Sequence, residues 1–445
     1  MQPMNHYTIP AVVCDAEKLS QIAILQELGK HRIPVIALSQ DPDAIGFHSK
    51  YVVKKHHTPM ASFEDNYISY LIENVPRGVL YYSNDANVEN LAKHKSELLE
   101  NGFHMWISDE RILSQVLDKY GLYRVCLQCG VSSPRTYPLE DDELSQSYMD
   151  EIGFPLIIKS SNLAGGVYRI VHTRTRFPTV YREMRELIKS KYFVHRHPRL
   201  LIQEWISQSD STLWNFNALV RNGEIISFSM GQRVRTDIKQ DGTYGSILLF
   251  GESKMNHPVL DENKRILAYL NYDGFVETEW SESPHDGGAY LYDFNPRPTG
   301  NIRWVFKSGV PMATQYYELS VNLPVRGSRG MQEGTKYYKI FYHDNDFLQA
   351  IDSPVCSARQ ALKILLEDLR ALVNQRNNAI DILDMKDLKP TLYVCRGLYK
   401  VFFKGLLKLV LKMLLPSKWV QNSNDRLCLP FTGRNSRRNI PEVQT

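Results

Sequence analysis

Short β-branched runs alternate with amphipathic stretches over residues 7 to 107. Runs such as "YTIPAVVCD", "IPVIALS" and "GVLYYS" have the composition of buried strands, while "AEKLSQIAILQELGKHR" and "NDANVENLAKHKSELLENG" have helical spacing. Because strands and helices alternate, we expect a parallel sheet with helices on its faces. The first run leads into "CDAEKLS", which lacks the glycine-rich turn of a dinucleotide site, so the pattern gives little support to such a site.

The pattern changes after "SSPRTYPLEDDELS" to longer strands and hairpins. "FPLIIKSSNLAGGVYRIVHT" predicts two strands around a turn of small residues. In "STLWNFNALVRNGEIISFSM", Asn222 and Gly223 join two alternating runs, which is the strongest short hairpin signal. A third region, 331–395, is mixed and contains the amphipathic helix "SARQALKILLEDLRALVNQ". The fold class predicted is α/β combined with α+β.

The segment "AYLYDFNPRPTG" carries Asp293, Asn295 and Arg297 at every second position, which on a strand puts them on one face. The preceding strand, "VETEW", carries Glu277 and Glu279 in the same alternation. Antiparallel pairing of the two strands would bring Glu279 close to Asp293 and Asn295. Carboxylate and amide oxygens suit a hard cation, and two carboxylates leave most of the shell of Mg²⁺ to water and phosphate oxygens.

Two other interpretations of this hairpin remain open. Alternating acids and amides are also the pattern of a half-exposed hairpin with a solvated face. Pro296 and Pro298 argue against it, because they fix the backbone on both sides of Arg297, which a surface strand does not need. Glu277 also competes with Glu279 for the role of metal ligand.

Two lysines and a small-residue loop precede the acidic hairpin. Lys159 ends the apolar run "FPLIIK" and is followed by "SSNLAGG", whose backbone N–H groups can face phosphates. Lys119 opens a predicted helix. Either lysine alone is typical of a solvated surface position, and their order relative to the acidic hairpin is the informative feature.

This order of motifs resembles the ATP-grasp superfamily, and in particular its carboxylate-amine ligase branch, which includes D-aspartate ligase-like and carbamoyl-phosphate-synthase-like proteins. Members have a Rossmann-like first domain, two phosphate-binding lysines, a segment that contacts adenine, and an acidic hairpin that ends in N-P-R. The positions that match are Lys119, Lys159 with "SSNLAGG", "LIQEWI", Glu279, and "YDFNPR" with Asp293, Asn295 and Arg297. The resemblance runs from about residue 9 to 320.

The resemblance implies an ATP site with Mg²⁺. The phosphate-binding positions are Lys119, Lys159, Gly165 and Gly166. The positions near adenine and ribose are Glu204, Trp205, Ile206 and Asp210. The metal ligands are Glu279, Asp293 and Asn295. The catalytic positions are Arg297, for the γ-phosphate and the acyl phosphate that it becomes, and either Arg233 or Arg235 on the substrate side.

The resemblance also implies a division of the chain. A Rossmann-like domain would occupy 1–118, a two-lobed α+β ATP-grasp domain 119–330, and a mixed region 331–395. A basic amphipathic helix would follow at 396–420 and a basic tail at 421–445.

Charge is distributed unevenly along the 445 residues. The net charge is +4, but ten Lys or Arg and two acids follow residue 395, so the tail carries +8 and the rest −4. A basic tail on an acidic body gives no support to a general nucleic-acid partner and favours a local anionic one. Six scattered cysteines and the lack of a signal-like start or a long apolar run favour a cytoplasmic location.

The basic helix allows two interpretations. In "RGLYKVFFKGLLKLVLKMLLPSKW", basic residues recur at every fourth position and apolar residues fill the remaining circumference. Such a helix suits the anionic inner surface of a membrane. It is equally suited to packing on the protein body, or on a second subunit of a homodimer, with its lysines outward.

The sequence thus predicts an enzyme that joins a small-molecule carboxylate to an amine through an acyl phosphate. An amino acid is the expected substrate, and cell-envelope or surface-polysaccharide metabolism the expected setting. A soluble dipeptide ligase is an alternative of the same class. A non-catalytic ATP-binding scaffold recruited to membranes is an alternative of another class. The presence of both lysines, of the metal-binding triad and of Arg297 counts against it.

Overall fold

The computed structural model describes residues 7–139, 142–162, 168–190, 199–206, 212–238, 244–328, 330–341, 346–352 and 356–414. Three sheets organise these residues, and the mixed α/β and α+β architecture predicted from the sequence is confirmed. The part of the chain that forms the first sheet contains, in order, β1 (Ala11–Val13), α1 (Leu19–Lys30), β2 (Val35–Ser39), β3 (Val52–His57), α2 (Tyr67–Asn74), β4 (Val79–Tyr81), α3 (Asp85–Lys93) and α4 (Lys95–Glu100). A short 3-10 helix, Ile45–His48, precedes β3.

All neighbours in the first sheet are parallel, in the order β3-β2-β1-β4. Every residue of β1, β2 and β4 is buried, as expected where helices cover both faces of a parallel sheet. The chain leaves β1 for β2 on one side and returns to β4 on the other. The carboxyl ends of β1 and β4 therefore form a topological switch point, where open parallel sheets commonly bind ligands.

The second sheet forms a small lobe. Two helices, α5 (Glu110–Leu117) and α6 (Lys119–Cys129), lead into β5 (Thr136–Pro138), α7 (Asp142–Ile152), β6 (Leu156–Ser160), β7 (Tyr168–Val171), α8 (Phe177–Ser190) and β8 (Leu200–Glu204). The four strands are antiparallel in the order β5-β8-β6-β7. A 3-10 turn, Arg174–Arg176, precedes α8. The predicted strands on either side of "SSNLAGG" are therefore β6 and β7, which pair from Leu156 with Val171 to Lys159 with Tyr168.

The third sheet carries the acidic hairpin. The part of the chain that forms most of this sheet contains, in order, β9 (Leu213–Arg221), β10 (Glu224–Ile238), β11 (Tyr244–Ser253), α9 (His257–Leu270), β12 (Gly274–Glu282), β13 (Ala289–Asn295), α10 (Ile302–Lys307) and α11 (Met312–Ser320). Its order begins β13-β12-β9-β10-β11, with antiparallel neighbours throughout. Asn222 and Gly223 have φ values of 50° and 76°. Two successive positive φ values are those of the two-residue turn predicted there.

The C-terminal region extends the third sheet. It contains β14 (Lys336–Tyr338), α12 (Asp346–Asp352), α13 (Ala358–Val373), β15 (Asn378–Ile380) and α14 (Lys389–Leu414). β14 pairs with β11 and β15 pairs with β14, so that the sheet has seven strands within the described residues. The mixed region predicted over 331–395 thus shares a sheet with the region before it, and the division into domains stays a prediction. Of the helices within the described ranges, none combines the length and the apolar character that crossing a bilayer requires.

Buried carboxyls cluster between α12, α13 and the sheet. Asp346 and Asp368 are each at most 3% exposed, and Oδ1 of Asp368 has no hydrogen-bond partner. Burial, and then the charge of Asp346, raise the pKa of Asp368 to about 8. The unfolded chain releases this proton near pH 4. The free energy of unfolding contributed by Asp368 therefore falls as pH rises from about 4 to about 8, by at most about 1.4 kcal/mol per pH unit.

We expect Asp368→Asn to remove this fall in the free energy of unfolding between about pH 4 and pH 8, because the amide needs no proton to stay neutral. The variant should be at least as stable as wild type near pH 8. Urea denaturation over a pH series measures this, with Asp65→Asn, at an exposed aspartate, as the matched control. An unchanged slope in Asp368→Asn would contradict the prediction.

Candidate active site

The two strands β12 and β13 pair their acidic and amide residues in register. Glu279 lies opposite Asp293, and Glu277 lies opposite Asn295. A β-bulge follows Glu279, where the register shifts before Trp280. The sequence predicted that Glu279 would lie close to both Asp293 and Asn295. Asp293 is its direct partner, whereas Asn295 lies two positions further along, opposite Glu277.

Both predicted lysines lie at this hairpin. Lys119 is the first residue of α6, and its Nζ donates to Oδ1 of Asp293 at 2.8 Å. Its backbone N–H donates to the carbonyl of Ser161 at 2.8 Å, which ties the start of α6 to the end of β6. Lys159 is buried on β6, and its Nζ donates to Oε1 of Gln203 at 2.9 Å.

The two lysines have opposite electrostatic environments. Burial, reinforced by the nearby charge of Lys119, lowers the pKa of Lys159 to about 7. Burial also acts to lower the pKa of Lys119, but the contact with Asp293 outweighs it and raises that pKa. Although burial acts to raise the pKa of Asp293, the charges of Lys119 and Lys159 hold it below its usual value. Lys119 and Asp293 are therefore an ion pair, while Lys159 is readily deprotonated.

The two glutamates of β12 have different contacts. Glu277 accepts from Asn215 and Thr299 on Oε1, at 2.8 and 2.7 Å, and from Arg297 on Oε2 at 2.8 Å. The contacts of Glu279 converge instead on Oε2, which accepts from Arg233 at 2.7 Å and from the Tyr292 hydroxyl at 2.9 Å. Burial raises the pKa of Glu279.

Glu277 is thus held by donors on both oxygens. The sequence did not reveal three of the partners of these glutamates. They are Asn215 and Thr299, which donate to Glu277, and Tyr292, which donates to Glu279. Alternation within "LWNFNALV" and "YLYDFN" put Asn215 and Tyr292 on strands, but nothing marked them as partners of the glutamates.

The two candidate substrate-side arginines have different partners. Arg233 is 2% exposed and lies against Glu279. Arg235 binds Asp346 of α12, with Nη2 at 2.6 Å from Oδ2 and Nε at 2.9 Å from the same oxygen, and it contacts Glu367 of α13 at 3.1 Å. The strand β10 is irregular between the two arginines, where its pairing with β11 shifts. Only Arg233 shares the surroundings of the acidic hairpin.

Arg297 joins the hairpin to the first sheet. Its Nη1 donates to Oε2 of Glu277 at 2.8 Å, and its Nε lies 3.3 Å from Oδ1 of Asp85. Asp85 begins α3 directly after β4, at the switch point of the parallel sheet. Asp85 was not among the positions predicted from the sequence. The reversal of strand order next to β1, which marks its position as a ligand site, becomes visible only in the folded sheet.

The predicted adenine segment lies at the end of β8. Glu204 is the last residue of that strand, and Trp205 and Ile206 follow it, both half-buried. The Glu204 carboxylate is held by Arg135, with Nη2 at 2.9 Å from Oε1 and Nε at 3.1 Å from Oε2. A nucleotide at this segment would therefore meet backbone groups more readily than the Glu204 side chain.

Three predicted positions, Gly165, Gly166 and Asp210, lie outside the described residues.

The donor set of the hairpin fits Mg²⁺ but not a closed metal centre. Within the described part of the chain, no three His, Cys, Asp or Glu side chains come together as a metal-binding group. Glu279 and Asp293 supply two facing carboxylates from paired strands. Two carboxylate ligands leave the other coordination positions of an octahedral Mg²⁺ ion to phosphate oxygens and water.

Comparison with known proteins gives related sequences and a related fold. No family model matches the chain. The chain is 22% identical over 237 residues to D-aspartate ligase of Enterococcus faecium, which covers 52% of this chain and 55% of that protein. It is 21% identical over 287 residues to the large chain of carbamoyl phosphate synthase of Deinococcus deserti, which covers 64% of this chain and 26% of that protein. The chain thus spans about half the length of the first relative and about a quarter of the second.

A solved structure shows the same architecture. It is the biotin carboxylase domain dimer of 2-oxoglutarate carboxylase from Hydrogenobacter thermophilus, in complex with MgADP, ADP and bicarbonate. The TM-score is 0.59 at 15% identity, and the match covers 74% of this chain and 73% of that one. The resemblance predicted from the motifs is confirmed, and the protein has the ATP-grasp fold.

Proposed function

We propose that this protein is an ATP-dependent ligase that joins a carboxylate to an amine and forms an amide through an acyl phosphate. The observation that carries the proposal is the paired hairpin, which sets Glu279 opposite Asp293 and brings Lys119 onto the same carboxylate. The similarity to D-aspartate ligase supports an amino acid as one substrate. Cell-envelope or surface-polysaccharide metabolism is the setting we propose, and a soluble dipeptide is the alternative product.

The chain's own residues suit ATP and Mg²⁺. Glu279, Asp293 and Asn295 would hold the metal ion, which when bound neutralises charge on the phosphates. Lys119 and Lys159 would bind the α- and β-phosphates. The structural relative that contains MgADP supports this pair of cofactors.

The reaction follows from the chemistry of the substrates. An oxygen of the substrate carboxylate attacks the γ-phosphorus, the bond from that phosphorus to the β–γ bridging oxygen breaks, and ADP leaves. The uncharged nitrogen of the amine then attacks the acyl carbon and forms the C–N bond. The bond from that carbon to the phosphate oxygen breaks, phosphate leaves with its electron pair, and the nitrogen gives up a proton to the departing phosphate. A free carboxylate resists this attack because oxide is a poor leaving group, whereas phosphate is a good one. The protein contributes position and charge.

We propose that Arg297 binds the phosphoryl group while it is transferred from ATP to the carboxylate. Its planar fork can donate two parallel hydrogen bonds to phosphate. Glu277 of β12 and Asp85 at the start of α3 hold the guanidinium in place. Arg233 takes the substrate-side role in this proposal, since Arg235 is bound to Asp346 and Glu367.

The proposal is tested by release of ADP and phosphate with Mg²⁺ across a panel of amino acids and cell-envelope precursors. Release that depends on a particular substrate and is lost in the Asp293→Ala, Asn295→Ala double variant supports a ligase. Hydroxylamine, which traps an acyl phosphate as a hydroxamate, then tests the intermediate. If ATP binds but no substrate provokes release or a hydroxamate, the non-catalytic scaffold is the better description.

We expect ATP binding to take up protons through Lys159. Near pH 8 this lysine is largely neutral in the free protein, because its pKa is about 7. Bound phosphate favours the charged form, so uptake should approach one proton per ATP. Calorimetric titration in buffers of different ionisation enthalpy measures the uptake.

Lys159→Met should abolish this proton uptake. Lys119→Met is the matched control, because the contact with Asp293 keeps Lys119 charged before ATP binds. Uptake that is the same in Lys159→Met as in wild type would refute the assignment.

A further inference from the structure

The helix α14 is fixed to the protein body at both ends. Near its start, the Tyr393 hydroxyl donates to Oδ2 of Asp43 at 2.6 Å, and the ring stacks on His48 with centroids 4.0 Å apart. Near its end, Nζ of Lys408 donates to Asp352 at 2.6 Å. Lys412 donates to the carbonyl of Ile351 at 2.7 Å.

One face of α14 is also packed. Leu409 is 5% exposed and belongs to an apolar cluster that α12 and α13 complete with Phe347, Leu348 and Leu365. A Cβ at Gly405 would approach the Leu348 side chain to 2.8 Å, so the two helices are in close contact there. The docked arrangement that the sequence left open therefore accounts for this face of the helix.

A second face of α14 is apolar and exposed. Its residues recur at spacings of three, four and seven, which places them on one side of the helix. They are Leu392, Tyr399, Phe403, Leu407, Val410 and Met413, each between 47% and 68% exposed. We call these six residues the outer apolar face. The six residues follow about 30 Å of helix, and a group of exposed apolar side chains of this extent marks a site of interaction.

Basic residues accompany the outer apolar face. Arg396, Lys400 and Lys404 are exposed and lie beside it on the helical circumference. No acidic residue occurs anywhere from 389 to 414. The surface is thus both apolar and uniformly positive.

We propose that the outer apolar face of α14 is a preformed docking surface for an anionic membrane. A bilayer rich in acidic lipids offers an apolar interior for the apolar strip and negative headgroups for Arg396, Lys400 and Lys404. A second copy of this chain is a poorer occupant. Two such faces would set like charges against each other with no acidic residue on either helix to compensate.

This inference is independent of the proposed ligase activity. It predicts a peripheral attachment in which the helix lies in the plane of the membrane surface while its inner face stays on the body. Because α14 is fixed at both ends, the residues on its outer face are already arranged before binding. Less ordering free energy is then lost when the surface meets the bilayer.

The test is sedimentation of the full-length protein with vesicles. Vesicles of phosphatidylcholine alone are compared with vesicles of phosphatidylcholine mixed with phosphatidylglycerol. We expect binding only to the anionic vesicles, weakened by added salt. The Phe403→Ser, Leu407→Ser variant should bind at least about tenfold more weakly, although every basic residue of the helix and tail is kept.

Two further variants complete the design. Lys400→Gln, Lys404→Gln should also weaken binding about tenfold or more. Val373→Ser removes an apolar side chain that is 89% exposed on α13, outside the proposed surface, and should bind as wild type does. Circular dichroism and thermal unfolding verify that each variant is folded.

Three results would overturn the proposal. One is absence of binding by the folded wild-type protein to anionic vesicles. Another is equal binding by wild type and the Phe403→Ser, Leu407→Ser variant, which would assign attachment to the basic tail. The third is a wild-type protein that binds no vesicles and is a dimer by light scattering, while the Phe403→Ser, Leu407→Ser variant is a monomer. That result would assign the face to a second copy of the chain.

Discussion

Replacement of Asp293 by alanine is expected to lower substrate-dependent ADP release at least about 100-fold. Asp293 is the proposed metal ligand that also holds Lys119, with Nζ at 2.8 Å from Oδ1. Its loss removes one of two facing carboxylates and leaves the half-buried ammonium group of Lys119 without its partner. Steady-state turnover at saturating ATP measures the effect, and ATP affinity should fall as well because both Mg²⁺ and Lys119 are displaced from their positions.

The matched control is Asp286→Ala in the loop of the same hairpin. Asp286 is also an aspartate that accepts a side-chain hydrogen bond, from the Tyr290 hydroxyl on Oδ2 at 2.6 Å, but it lies on the exposed turn. Activity close to wild type in this variant would show that the loss in Asp293→Ala is not a general effect of weakening the hairpin. Near wild-type turnover in a folded Asp293→Ala protein would remove the hairpin as the proposed site.

The sequence was sufficient wherever local chemistry dictates geometry. Apolar runs between helical stretches gave the parallel sheet, because fully buried strands need no alternation. Asn222 and Gly223 gave the hairpin between β9 and β10, because both adopt positive φ at low cost. The pairing of Glu279 with Asp293 followed from alternation on two strands joined by a short loop.

The sequence was insufficient where contacts join distant elements. Arg297 was selected, but its partner Asp85 lies 212 positions earlier, at the start of α3. The family resemblance left Arg233 and Arg235 as equal candidates, and the irregular pairing of β10 that separates their environments has no signature in the sequence. The Glu204 side chain was expected at adenine, and its partner Arg135 came from a neighbouring strand region that no local pattern connects to it.

The C-terminal helix shows the same limit. Apolar residues cover most of its circumference, so hydrophobic periodicity could not say which side faces the protein. That choice depends on α12 and α13, whose Asp352 and apolar residues fix the rotation of α14. The two interpretations of this helix were posed as alternatives, yet a packed inner face and an exposed outer face allow both to apply.

Replacement of Arg297 by alanine is expected to lower turnover about 100- to 1,000-fold while changing ATP affinity much less. The reason is that the charge assigned to Arg297 develops on the phosphoryl group during transfer, whereas Lys119 and Lys159 are assigned to phosphates that are bound throughout. Turnover is read from ADP release and ATP affinity from calorimetric titration of the same variant. Equal losses in both quantities would place Arg297 in ground-state binding instead.

Arg297→Lys separates charge from geometry. Lysine keeps the positive charge between Glu277 and Asp85 but lacks the planar fork that can donate two parallel hydrogen bonds to phosphate. We therefore expect little recovery of turnover relative to alanine, together with recovery of thermal stability, because the two carboxylates regain a cation. Full recovery of turnover in Arg297→Lys would mean that a point charge suffices there, and that the guanidinium serves to join the hairpin to Asp85 of the first sheet.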